Sequence, residues 1–340
     1  MSPLVSRRSL AVLVLAVQTL LSPPGLAHHS PAMFDMNRDV FLEGTITEIS
    51  WRNPHVYFSI EVAGADGRPM TQAIEAGPAS NLVPLGIDAG SLRTGERVRV
   101  QIKPNRRGEG EVLGWLLTKT DGTVIPLHVR AIPPSQPGAA QASSLAGTWV
   151  PQGTGFASLA VAARSWPLSD AGQAAAEATA AERDASRSAC VPFGPPALMS
   201  LPSTVHIDVS DTTVTFQLDV MDSRRVVHLD RREHPQHLEP SLHGHSIGHW
   251  EGGTLVVDTV GYAAHPDGFA FDLPSSASKH IVERFTLAAD RKHVDYEAVV
   301  EDLQYLAAPV SHRAQWDYRP EQQPSNLPCD TAVAKRFVDE

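Results

Sequence analysis

Between residues 40 and 129 apolar and polar positions alternate in short runs broken by turn residues. Val56, Phe58, Ile60 and Val62 alternate with Tyr57, Ser59 and Glu61, the period of two that a half-buried strand imposes. Val98, Val100 and Ile102 repeat the pattern after Thr94-Gly95-Glu96. Segments 40–51, 70–75, 113–118 and 123–129 extend the set, and Asp66-Gly67 and Asp121-Gly122 supply turns between neighbours. Five or six short strands in so small a stretch predict a closed or nearly closed barrel, because closure removes exposed edges. An OB-like barrel over residues 28–130 is the preferred form.

The pattern lapses at residues 131–144 (AIPPSQPGAAQASS), which hold three prolines and no charge and read as a linker. Beyond it, residues 169–186 are Ala-rich with Ser169 placed to cap a helix. Strands are predicted at 204–209, 213–220, 225–230, 254–262, 280–287, 293–301 and 311–318. Val214, Phe216, Leu218 and Val220 share one face, as do Val294, Tyr296, Ala298 and Val300. The expectation for residues 145–340 is a second antiparallel β-barrel or curved sheet with one Ala-rich helix, so the chain reads as mainly β.

The beginning of the chain follows a different rule. Arg7 and Arg8 precede an apolar run from Leu10 to Leu21 and the small-x-small sequence Gly25-Leu26-Ala27, which together read as a signal peptide over residues 1–27. The paired arginines also resemble a twin-arginine signal. Cleavage after Ala27 would leave His28 as the first residue of a periplasmic or secreted protein. No later stretch approaches the roughly 20 apolar residues of a membrane span, so the expected mature protein has none.

A chain of 340 residues is long enough for two domains. Its net charge of -10 and the lack of a basic stripe argue against a nucleic-acid partner. Export changes how Cys190 and Cys329 are read: an even pair in an oxidising compartment favours a disulfide. That bond would staple the tail bearing Pro320, Pro324 and Pro328 onto the second domain.

The runs AHHSPAMFD and GTITEISWRNPHVYF resemble a family of exported bacterial proteins of unknown function, with His-His-Ser after the signal peptide and a Trp-x-Asn-Pro-His motif. CVPFG, GHSIGHWEGGTLVVDTVGY and VERF are similar to an equally uncharacterised companion domain. Gly253 stands where that pattern usually has an acid, which argues against a catalytic role there. The resemblance implies no activity.

The residues themselves suggest a metal. An N-terminal His28 would offer an α-amine and an imidazole, and a third nitrogen would complete a set suited to copper, similar to the histidine brace of lytic polysaccharide monooxygenases and periplasmic copper carriers. His55, after Asn53-Pro54, is the preferred third ligand and His29 the alternative. A second cluster comprises His234, His237, His243, His245 and His249, of which His243 and His245 would share a face of one strand, with His249 and Glu251 extending the set for Zn or Cu.

Asp258, Glu283 and Arg284 are charged positions within apolar strands. They suggest either a register-fixing pair, Asp258–Arg284 or Glu251–Arg284, or a polar anchor inside a ligand-holding barrel. P-loop, dinucleotide and zinc-protease signatures are absent, as is a Gly-x-Ser-x-Gly elbow. The leading expectation is a non-enzymatic binding protein for a small ligand or metal ion. The rivals are a copper-dependent redox enzyme using the same site, and a structural module with no small ligand.

Overall fold

The computed structural model describes residues 33–64, 66–108, 110–128, 131, 140–322 and 329–335. The expected signal peptide, His28, His29 and most of the proline-rich linker lie outside the described residues.

The first barrel runs β1 (Val40–Ser50), β2 (Tyr57–Ala63), β3 (Pro69–Glu75), a short helix α1 (Ala79–Leu82), β4 (Arg97–Lys103), β5 (Val112–Lys119) and β6 (Val124–Pro126). Its bonded order is β3-β2-β1-β4-β5-β6, and parallel pairing of Ile74 and Glu75 with Val112 and Leu113 joins β3 to β5. Five strands therefore close on themselves in the OB arrangement, with β6 appended outside the ring. β1 belongs to two pairings at once, with β2 and with β4, and a register shift between Ile46 and Glu48 lets it bend between them. Gly44 permits that crowding, since a Cβ there would stand 2.4 Å from the Glu61 carbonyl oxygen. The alternating apolar positions point inward, and Ile46, Phe58, Ile60, Ile74, Val100 and Leu117 are buried together.

The second barrel begins with β7 (Gly147–Pro151), followed by helices α2 (Gly153–Ala162), α3 (Asp170–Ala178) and α4 (Ala180–Ser188). Strands β8 (Val205–Val209), β9 (Thr213–Leu218), β10 (Ser223–His228), β11 (His245–Glu251) and β12 (Thr254–Val260) come next. After a small hairpin of β13 (His265–Ala270) and β14 (Leu273–Ser275), β15 (Lys279–Leu287), β16 (His293–Asp302) and β17 (Val310–Tyr318) complete it. Nine strands close in the order β10-β11-β12-β15-β16-β17-β7-β8-β9.

β7, β11, the β13–β14 hairpin and α2 are not predicted by the alternation, and the strand directions and the Ala-rich segment also differ from expectation. The barrel is antiparallel except at one seam, where Val227 and His228 of β10 pair in parallel with Ser246 and Ile247 of β11. A parallel pair cannot be joined by a tight hairpin, and residues 229–244, with Pro235 and Pro240, carry the chain back to the starting end. The Ala-rich helix is two helices. Ser169 caps the first, its hydroxyl accepting from the Gly172 N–H at 3.1 Å. Thr179 then leaves helical geometry at ψ 11°, and the Arg183 guanidinium donates to the Ala176 carbonyl and the Thr179 hydroxyl where the first helix ends.

Cys190 and Cys329 form a disulfide across a sequence separation of 139. In the chain-entropy account a loop of that size contributes roughly 4–5 kcal/mol. The tail it holds, including a helix α5 (Thr331–Lys335), also reaches the first barrel. Cys329 bridges to Asn53, the Asp330 N–H donates to the Asn53 carbonyl at 2.9 Å, and the Asp330 carboxylate lies 3.2 Å from Arg52.

Candidate functional site

Chemistry-bearing side chains gather in three places. The first is the mouth of the small barrel, between the β1–β2 and β4–β5 loops, the side on which OB barrels commonly take ligands. The β1–β2 loop is the Trp51-Arg52-Asn53-Pro54-His55 motif. His55 Nδ1 lies 2.6 Å from Glu75 Oε1, and Glu75, at the end of β3, is opposite Tyr57 in the ladder. Across the mouth Lys103 Nζ donates to Asp39 at 2.6 Å and sits 4.9 Å from the centre of the Trp115 ring, which stacks on His128. The hydrogen bond from Lys103 holds the Asp39 carboxyl below its usual range. The described chain enters beside the β4–β5 loop: the Arg106 N–H donates to the Met33 carbonyl at 2.8 Å, and the Asp35 N–H to the Pro104 carbonyl at 2.9 Å.

The second place is the interior of the large barrel. Arg225 on β10 and Glu283 on β15 are fully buried and joined by two hydrogen bonds, one of them at 3.0 Å. The other guanidinium donors go to Ser246 Oγ at 3.2 Å and Thr259 Oγ1 at 2.8 Å, and the Tyr296 hydroxyl donates to Glu283 at 3.0 Å. Every charged atom of the pair has a partner, the condition on which buried charge is tolerated. Beside them Lys279, 2% exposed, donates to the Gly268 and Pro195 carbonyls at 2.9 and 3.2 Å and lies 4.2 Å from the centre of the Tyr262 ring.

Burial pushes Lys279 down to about 7, against the attraction of Asp302 and Glu283. It likewise pushes His243 down to about 4, aided by Arg225 and Lys279, and the His243 Nδ1 has no hydrogen-bond partner. Gly194 of CVPFG allows this packing, because a Cβ there would fall 2.8 Å from the Leu242 carbonyl and 3.2 Å from Lys279 Nζ. The motifs of the second domain thus converge on one internal polar cluster.

The third place is the outer face of the same barrel. His245 on β11, His234 from the 229–244 crossover, Asp258 on β12, His280 on β15 and Glu301 on β16 form a row. His234 Nδ1 faces His245 Nδ1 at 2.9 Å, while its Nε2 lies 3.0 Å from Asp258 Oδ1. His280 contacts Asp258 at 3.3 Å and Glu301 at 3.5 Å, and His228 stacks on His245 with centroids 5.2 Å apart. Hydrogen bonding to Asp258 raises the His280 pKa, and the same bond lowers that of Asp258.

The charged positions picked from the sequence are split between these places. Glu283 faces inward with Arg225, whereas Asp258 and Arg284 face outward. Arg284 Nη2 lies 2.6 Å from Glu251. His243 and His245 do not share a strand face. Gly244 adopts φ +65°, β11 starts only at His245, and His243 turns into the interior. His249 contacts Glu251 at 3.2 Å, further along β11. His28 and His29 lie outside the described residues. Among the described residues no three His, Cys, Asp or Glu side chains stand ready-made around a metal ion, and no helix is long and apolar enough to cross a membrane.

Arg225, Lys279, His228 and His280 escaped the sequence reading. Arg225 carried a signal, since the alternation Ser223-Arg225-Val227 places it on the inward face. His280 carried none, because its partners come from other strands.

No curated protein matches the chain. Residues 16–114, which hold His28, His29, His55 and all but the last strands of the small barrel, match a family model described as a family of unknown function (DUF6152).

Proposed function

We propose that the protein is an exported binding protein that holds copper(II) at the mouth of its five-stranded barrel. The ligands are the α-amine and imidazole of His28 and the imidazole of His55, with His29 as the alternative to His55. The observation that carries this reading is the contact between His55 Nδ1 and Glu75. A carboxylate accepting from one ring nitrogen fixes the tautomer, orients the ring and makes the other nitrogen a better donor to a metal, as around many metal-bound histidines.

Chain geometry is compatible. Met33 is anchored beside the β4–β5 loop by Arg106, and the five steps from it to His28 can span up to about 17 Å. The Cys190–Cys329 disulfide supports an oxidising compartment.

The test begins with the intact mass of the exported protein, expected to start at His28. Copper(II) titration of that protein should show a site whose affinity falls at least about tenfold in His55→Ala and by about 10–100-fold in Glu75→Gln. A different N-terminus, or unchanged affinity in His28→Ala and His55→Ala, refutes the reading. Oxygen consumption or peroxide formation by the copper-loaded protein with a reductant would move it from carrier to redox enzyme.

A further inference from the structure

The outer histidine row of the large barrel is used neither by the copper reading nor by the internal polar cluster. Its geometry is unusual for a surface. Most exposed histidines meet water or one carboxylate, whereas His234 and His245 face each other nitrogen to nitrogen at 2.9 Å. Only one of two neutral rings can place a proton between them. Asp258 decides which, because its carboxylate receives the His234 Nε2 proton. His234 Nδ1 is then the bare acceptor, and His245 Nδ1 carries the proton it receives.

We propose that this pair is a second transition-metal site, of copper(II) class, in which the ion takes the place of the proton between His234 Nδ1 and His245 Nδ1.

The distance fits. With metal–imidazole bonds of about 2.0–2.1 Å, two nitrogens 2.9 Å apart subtend about 90° at the ion, the cis angle of the tetragonal geometry favoured by Cu(II). The balance is simple. His245 remains neutral, its proton moving from Nδ1 to Nε2 as Nδ1 takes the metal, so no net proton need be released. Asp258 is already in the place of the carboxylate that supports a metal-bound histidine, and His280 in turn holds Asp258.

A third nitrogen is close by. His228 lies on the neighbouring strand across the parallel seam, stacked on His245 at an interplanar angle of 15°. Water would complete the shell.

The probe is Cu(II) alone, added to the full mature protein and followed by calorimetry and electron paramagnetic resonance. A background of His28→Ala, His29→Ala and His55→Ala removes the imidazoles proposed for the small barrel and isolates this site. In that background one equivalent of Cu(II) is expected to bind with an axial signal split by nitrogen ligands. His245→Ala, added to it, should abolish that signal. Asp258→Asn should keep the stoichiometry and weaken binding by about 10–100-fold, and because Asp258 lies on the surface side of β12 the variant is expected to remain folded, checked by circular dichroism. The proposal is overturned if the protein lacking His28, His29 and His55 binds no Cu(II), or if its stoichiometry and spectrum are the same when His245→Ala is added.

Discussion

The two barrels solve the same closure problem with different fillings. Five strands enclose a narrow space occupied by aliphatic side chains such as Ile46, Ile60, Ile74, Val100 and Leu117, with Phe58, and the buried charged groups among the described residues of this unit, Glu75 and Lys103, sit at strand ends. Nine strands enclose a wider space, since diameter grows with strand number. Aliphatic residues no longer reach across it, and Trp149, Phe216, Phe285, Tyr296 and Trp316 take over. These rings meet one another edge to face, tilted or stacked. The Arg225 guanidinium is buried in the same barrel, each of its nitrogens bonded to Glu283, Ser246 or Thr259. The narrow barrel therefore keeps its polar chemistry at the mouth. The wide one has its polar groups paired inside and carries its histidine row on the outer face.

The largest expected effect breaks the filling of the wide barrel. Glu283→Ala leaves Arg225 as an uncompensated buried charge and should destabilise that unit by about 3–5 kcal/mol in urea unfolding. The double variant Arg225→Met with Glu283→Leu should recover much of the loss, because an apolar replacement carries no desolvation cost. A loss equal to that of an ordinary surface change would show that the pair does not organise the core.

Next in size, Ile60→Ala should cost about 2–5 kcal/mol through the cavity it opens, and the transition affected should be that of the small barrel. A shift confined to the large barrel would contradict separate cores. The smallest effect is a slope with pH. Lys279 falls from its ordinary 10.5 to about 7 in the folded chain, so between those values the folded state has shed a proton that the unfolded state keeps. Raising pH from 7 towards 10 should therefore increase stability, and Lys279→Met should flatten that part of the profile.

Much of this was legible in the alternation of side chains. Ile281, Glu283 and Phe285 fall on one face by simple parity, which separates Glu283 from Arg284 across the strand, and the structure puts Glu283 inside. What parity could not supply was the partner. Arg225 lies three strands away around the ring, reached only once β11 and β12 are placed between β10 and β15. β11 itself was hard to see because His245, Gly248, His249 and Trp250 interrupt its apolar pattern. The parallel seam was invisible for a different reason: direction is set by the return path of residues 229–244, and no local propensity encodes it. The helix Gly153–Ala162 lacks a polar stripe, so nothing in its periodicity marked it as a helix.

The tail that joins the barrels also sets how the molecule would bear a mechanical load. A pull on the chain ends travels through the Cys190–Cys329 bond, so the loop of residues 191–328 lies off the line of force. That loop holds every strand of the large barrel except β7. Under oxidising conditions a stretched molecule should yield the extension of the small barrel, the linker and the β7-to-α4 segment, and withhold about 460–500 Å of contour. Adding a reductant during the pull would release that length.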